Sequence, residues 1–219
     1  MHTVLCCFLY FPLSPGLWGL VNNGGISGLL APNEWLTKQD FVTVLDMNLL
    51  GMIEVTLSLL PLVSMARGCV VNMSSVMGRL SFLGGGYFIS KYGIEAFSDS
   101  LRRELAPFGV KVTVIEPGSF KTNMNDMERL LRQVQEGWDR ARPKIKEVYG
   151  EKFLASCELT TIGTTVMDCM EHALTACHPH TRYLAGWDAK LFYLPMSYMP
   201  TFLADAILTW VLPRPAKAL

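Results

Sequence analysis

Residues 70–91, VVNMSSVMGRLSFLGGGYFISK, decide how this chain is read. The run parses as a strand, a short hydroxyl-rich loop and the first turn of a helix. Tyr87 and Lys91 stand four residues apart, so a helix puts them on one face. A tyrosine hydroxyl titrates near 10 in water and is a poor base at neutral pH. A cation held nearby stabilises the phenolate and lowers that value. Reaching neutrality takes about three units, or ~4 kcal/mol of preferential stabilisation. Tyr87 and Lys91 are therefore a candidate proton-transfer pair. A Tyr-x-x-x-Lys spacing also occurs on ordinary exposed helices, and the neighbours sharpen it. Ser74 and Ser75 lie where the strand ends, and Gly84–Gly86 let the chain turn tightly into the helix.

With those residues in place, the run resembles the active-site segment of the short-chain dehydrogenase/reductases. The resemblance implies hydride transfer between a nicotinamide cofactor and the carbinol carbon of an alcohol. It implies that Tyr87 takes the hydroxyl proton during oxidation. Lys91 lowers the tyrosine pKa and holds the nicotinamide ribose, and Ser75 hydrogen-bonds the substrate oxygen.

Upstream, residues 17–22 (LWGLVN) read as a strand buried on both faces. The strand ends in Asn22-Asn23-Gly24-Gly25, similar to the family's Asn-Asn-Ala-Gly, with Gly24 in the alanine place. By that resemblance Asn22, Gly24 and Gly25 lie beside the cofactor and brace the sheet. The family has three β–α units before this strand, roughly 90 residues at ~30 per unit. The first carries the glycine-rich turn that cradles the pyrophosphate. Here only sixteen residues precede the strand, without such a turn. The expectation is a family fold that is N-terminally truncated, with Leu17–Asn22 as an apolar sheet edge. Residues 1–15 are apolar, too short to span a bilayer and without the basic region of a signal peptide. They are read as standing outside the fold.

Residues 37–60 read as one long helix, with Thr37 as N-cap and Asp40 as its box partner. Phe41, Leu45, Leu49, Met52 and Ile53 form its apolar stripe. Asn48 lies near that stripe, where a buried asparagine bonded to backbone is the plain reading. DMNLLG also resembles the family's helix-four asparagine motif, which makes Asn48 the holder of a relay water. After Pro61 the chain turns at residues 66–68, and residues 69–73 read as the next strand. Asn72-Met73-Ser74 is a formal glycosylation sequon, read as buried and unused.

Downstream of Lys91, Ile94, Phe97, Leu101, Leu105 and Phe108 mark the buried face of the active-site helix. The outer face of that helix pairs subunits in many family members, which leaves a homodimer open. Residues 110–115 (VKVTVI) read as a strand. Pro117, Gly118 and Thr122 then resemble the family's Pro-Gly-x-x-x-Thr, which implies contacts to the nicotinamide carboxamide. Residues 123–177 read as irregular helices, and Glu128–Lys152 as a solvated amphipathic pair. The helical period breaks in the Ser- and Thr-rich stretch 156–165. The histidines lack metal-ligand spacing, so no metal site is assigned. Prolines divide residues 183–219 into apolar pieces too short to span a bilayer. Thr201–Leu212 reads either as lying flat on a membrane or as packing on the domain. AGWDAKL, SDSLRREL and MEHALTACHP resemble the microsomal retinol and hydroxysteroid dehydrogenase branch of the family.

The composition sets outer bounds. Half of the 219 residues are apolar, 17% are charged and the net charge is zero. There is no basic excess to attract nucleic acid. A mean hydropathy of +0.27 points to an apolar ligand or a membrane surface. Six cysteines without a CxxC pair read as reduced thiols. The fold expectation is α/β: a Rossmann-like, mostly parallel sheet with flanking helices and a helical C-terminal substrate lid. The catalytic part is 16–122, and the lid and apolar C-terminal region are 123–219. The resemblance implies NAD, with NADP open, a lipophilic retinoid or steroid substrate, peripheral membrane contact and location at the endoplasmic reticulum. Two alternatives stand beside it. One is an inactive truncated isoform serving as an interaction partner, and the other is a retinoid-binding protein that needs no cofactor.

Overall fold

Short runs of small and β-branched residues in register explain the sheet at the centre of the chain. The computed structural model describes residues 6–9, 16–118, 127–150, 153, 166–211 and 216–217. Its five-stranded sheet runs in chain order: β1 (Cys6–Leu9), β2 (Gly19–Asn22), β3 (Cys69–Met73), β4 (Lys111–Pro117) and β5 (Arg182–Ala185). The strands β2 to β5 are parallel, and β1 lies antiparallel to β2. The helices are α1 (Lys38–Leu45), α2 (Gly51–Ala66), α3 (Gly86–Leu105), α4 (Met127–Arg140), α5 (Pro143–Tyr149), α6 (Val166–Thr175), α7 (Leu194–Ser197) and α8 (Thr201–Val211).

Alternation along the strands builds two cores. Leu20, Val70 and Val112 are neighbours across the sheet and pack against Val63 of α2 and Leu101 and Leu105 of α3. The opposite face sets Val21, Val71 and Ile115 against Ala173 of α6 and Tyr183 of β5. Each fully buried Val, Leu or Ile contributes about 1.5–3 kcal/mol. A third cluster joins Trp35 to Trp138, Ile145 and Phe153, and so seats α4 and α5 on the body of the protein. Phe108, expected on the buried face after α3, is 62% exposed. It follows the helix in a separate 3-10 turn, Ala106–Phe108, which moves it off the stripe.

Three further expectations are corrected. Residues 1–15 do not all stand outside the fold, because Cys6–Leu9 pairs with β2 along its whole length. An open strand edge leaves a row of backbone N–H and C=O groups unmatched, and β1 takes that edge. The long helix does not end near Pro61 but runs on to Ala66, with Pro61 inside it. Pro61 is on the exposed side of the helix, where the carbonyl left without an N–H partner can be hydrated. β5 was not read as a strand at all. It is four residues long, with every second residue buried, too short to carry a periodic signal.

Other local readings hold. Thr37 and Asp40 form the capping box, with Asp40 Oδ2 accepting from Thr37 N at 2.8 Å. The long helix is interrupted by a π turn, Asp46–Leu50, a feature often found at functional sites. Asn72 is fully buried, out of reach of glycosylation.

Candidate active site

The site forms where β3 and β4 end beside the start of α3. Ser75 leaves β3 in extended conformation and caps the short turn Val76–Gly78, its Oγ accepting from Met77 N at 3.2 Å. The same Oγ lies 3.3 Å from the Pro117 carbonyl, which ties this loop to the end of β4. Gly85 precedes α3 with φ +123°, a conformation that L side chains rarely adopt. A Cβ there would also meet the Leu29 carbonyl at 2.7 Å. This turn delivers Tyr87 to the first turn of α3, with its hydroxyl in hydrogen-bonding reach of Ser75.

Lys91, one turn later, is buried. Its ammonium donates to the Met73 carbonyl at 2.9 Å and lies 5.5 Å from the centre of the Tyr87 ring. Burial pulls its pKa down to about 8, and the charge of Glu95 works in the opposite direction. Burial pushes the Tyr87 hydroxyl above its ordinary value, against the hydrogen bond from Ser75. The lowering expected from Lys91 is not seen at Tyr87 here, and burial disfavours the charged form of both groups.

Asn48 projects from the π turn and is buried. Its Nδ2 donates to the Ile26 carbonyl at 2.8 Å and to Ser90 Oγ at 3.1 Å, and its Oδ1 accepts from Ile26 N at 2.8 Å. Ser90 in turn donates to the Tyr87 carbonyl at 2.7 Å. The side chain thus clamps the loop after β2, which holds Gly24 and Gly25, to the turn carrying Tyr87. Replacing Asn48 with Ala strands the two Ile26 backbone groups. A loss of about 1–3 kcal/mol is expected, read as a lower urea midpoint with faster amide exchange at Ile26.

The structure thus gathers Ser75, Tyr87, Lys91 and Pro117, with Asn48 one hydrogen-bonded step behind. Gly118 follows Pro117 and donates its N–H to the Ala185 carbonyl at 2.9 Å. Asn22 is turned elsewhere. Its amide donates to Thr56 Oγ1 at 2.9 Å and Asn72 Oδ1 at 2.8 Å, and Asn72 donates to Ser98 Oγ at 2.9 Å. Its side chain braces the sheet against α2 and, through Asn72, against α3. Thr122 lies outside the described residues.

The nicotinamide end of a dinucleotide fits this donor set. Lys91 keeps N–H groups beyond the one given to Met73, and Tyr87 adds a hydroxyl beside them. A ribose diol needs such donors.

An ionic cluster behind the site escaped the sequence reading. Glu116, fully buried before Pro117, accepts from Arg79 Nε at 2.7 Å and Nη2 at 2.9 Å, and pairs with Arg182 Nε at 3.0 Å. Arg182 also reaches Glu95 and Asp99 of α3, each at 3.1 Å. The one signal was a glutamate directly after the Val114-Ile115 core positions of the strand, since a buried carboxylate demands a cation.

Residues 13–132 match the family model described as short chain dehydrogenase. The chain is 68% identical over 213 residues to retinol dehydrogenase 16 of Homo sapiens and 63% identical to retinol dehydrogenase 7 of Rattus norvegicus. It is 52% identical over 214 residues to 17-beta-hydroxysteroid dehydrogenase type 6 of Homo sapiens. Each alignment covers 93% of this chain and 67% of the relative. Among solved structures, a short chain dehydrogenase from Burkholderia cenocepacia in complex with NADP is similar with a TM-score of 0.63. Its identity is 18%, over 87% of this chain and 68% of that one. A short-chain dehydrogenase from Streptomyces avermitilis gives a TM-score of 0.57 at 22% identity, over 89% of this chain and 69% of that one. The two solved structures agree with the Rossmann-like sheet, and with the family match and the identities to curated relatives the chain belongs to the short-chain dehydrogenase family.

Proposed function

We propose that this chain is an oxidoreductase that moves a hydride between NAD and a lipophilic alcohol, with retinol ahead of 3α- or 17β-hydroxysteroids. The observation that carries the reading is the meeting of Ser75, Tyr87 and Lys91 at one sheet end. Higher identity to retinol dehydrogenases than to the hydroxysteroid dehydrogenase favours the retinoid. NAD over NADP rests on the family branch.

In oxidation the Ser75 hydroxyl holds the substrate oxygen against Tyr87, whose oxygen, as the phenolate, accepts the alcohol proton. The bound nicotinamide supplies the hydride acceptor and, in its oxidised form, a positive charge near the tyrosine. Lys91 contributes the protein's own positive charge. Because burial favours the protonated tyrosine, the hydroxyl carries the proton that a carbonyl oxygen takes up in the reverse direction. Asn48 holds the turn that aims Tyr87 and, by family resemblance, the water that passes its proton to solvent.

The apolar exterior supports two further parts of this reading. Phe202 and Trp210 of α8 are 70% and 82% exposed, as a peripheral contact with the endoplasmic reticulum membrane requires. Leu50 and Leu57 of the long helix and Ile89 and Tyr92 of α3 are also exposed, which suits pairing with a second copy.

The test is NADH binding by fluorescence and NAD-dependent oxidation of retinol and of hydroxysteroids by the purified 219-residue chain. Saturable binding with faster turnover of retinol is expected. A folded chain without binding or turnover would overturn the reading in favour of an interaction or lipid-binding protein.

A further inference from the structure

Glu95 stands one helical turn beyond Lys91 on α3, and the reaction outlined above makes no use of it. Among the described residues no carboxylate forms a direct ion pair with Lys91, whose ammonium meets the Met73 carbonyl and the Tyr87 ring. A buried ammonium without a counter-charge is costly. Glu95 is the carboxylate placed to answer it. Its Oε2 is gripped by Arg182 through Nη2 at 3.1 Å and Nε at 3.3 Å. Arg182 is itself fixed by Glu116 and Asp99, and Glu116 by Arg79. The serine loop closes over the same turn. A Cβ on Gly78 would sit 2.9 Å from Ser74 Oγ, 3.0 Å from Glu95 Cγ and 3.1 Å from the Lys91 carbonyl. Only a glycine lets that loop come so near.

We infer that Glu95 is a positioning residue: its carboxylate, clamped by Arg182, is the counter-charge that keeps Lys91 an ammonium beside Tyr87. Its meaning for catalysis rests on the function proposed above, whereas the link between the two charges does not. The charged and titratable groups around the pair are Tyr87 and Asp99 on α3, Arg79 after the serine loop, Glu116 on β4 and Arg182 on β5. Burial and the neighbouring Glu116 hold the Glu95 carboxyl above its ordinary value, against the hydrogen bond from Ser74 and the charges of Arg182 and Arg79. Protonating Glu95 as the pH falls therefore removes the counter-charge.

The test reads Lys91 directly. The full chain is labelled at lysine Cε with carbon-13, the Lys91 resonance is assigned with Lys91→Arg, and its titration is followed by NMR. Glu95→Gln is expected to lower the Lys91 midpoint by about one unit or more, and Glu95→Asp by less, since its charge is retained. The pH profile of turnover should move with it. A folded Glu95→Gln protein with an unmoved Lys91 titration would overturn the inference. If that variant does not fold, Glu95→Met decides, because a folded chain without the carboxylate and with an unmoved Lys91 midpoint would also overturn it. A shifted midpoint in a chain that never turns over alcohol would support the charge link and count against the proposed reaction.

Discussion

Tyr87→Phe is expected to cut alcohol oxidation by about 10²–10⁴-fold, the usual contribution of a positioned proton-transfer group. The substitution removes one oxygen and leaves the ring. The ring contacts to Phe88 and to the Lys91 ammonium therefore persist, and folding should change little. NADH should still bind, because Lys91 keeps its place through Met73. The measurement is NADH formation at saturating substrate beside NADH fluorescence. Loss of turnover with binding intact assigns the hydroxyl to chemistry. A variant that turns over at the parent rate would remove Tyr87 from the reaction.

Glu116→Ala should lower stability by about 3 kcal/mol, the low end for breaking a buried ion pair. The carboxylate has no exposure, whereas the Arg79 and Arg182 side chains keep 21% and 27% of theirs. Those guanidinium groups retain water after its removal, which moderates the loss. They would nevertheless face each other without the anion between them. About 3 kcal/mol is roughly a hundredfold in the folded-to-unfolded ratio, read as a lower urea midpoint at unchanged slope. Adding Arg79→Met should recover part of it, because removing the second charge relieves the repulsion. An unchanged midpoint for Glu116→Ala would show that the cluster contributes specificity and not stability.

Much of the central sheet was legible because its strands are rich in β-branched residues. CVVNM became β3 residue for residue, and VKVTVI became most of β4. Thr37 and Asp40 declared a helix start for the same kind of reason, since a capping box is a local feature. Tyr87, Lys91 and Ser75 could be found because they lie in one short segment. Glu95, Glu116, Arg79 and Arg182 could not, because their pairing depends on β4 and β5 lying side by side. Asn22 shows the same limit. Its place at the end of the strand was readable, but not its hydrogen bonds to Thr56 and Asn72. β1 was missed because its four residues pair on the strength of an available edge, which no periodicity announces.

The distribution of partners around Glu116 has a consequence for a chain still being synthesised. Arg79 is made before Glu116, so the first guanidinium is waiting when β4 joins β3. Arg182 arrives with β5, after the whole α4 to α6 region. Until then one side of the carboxylate lacks its second cation, Glu95 lacks its arginine, and Asp99 is held only by Arg102 and Arg103 of its own helix. Parallel pairing between distant segments is slow, and half-built sheets are the species that aggregate. A ribosome stalled before residue 182 would therefore hold a nascent chain with Glu95 lacking its arginine and Glu116 holding one of its two, and its yield should respond to chaperones more than that of the finished protein.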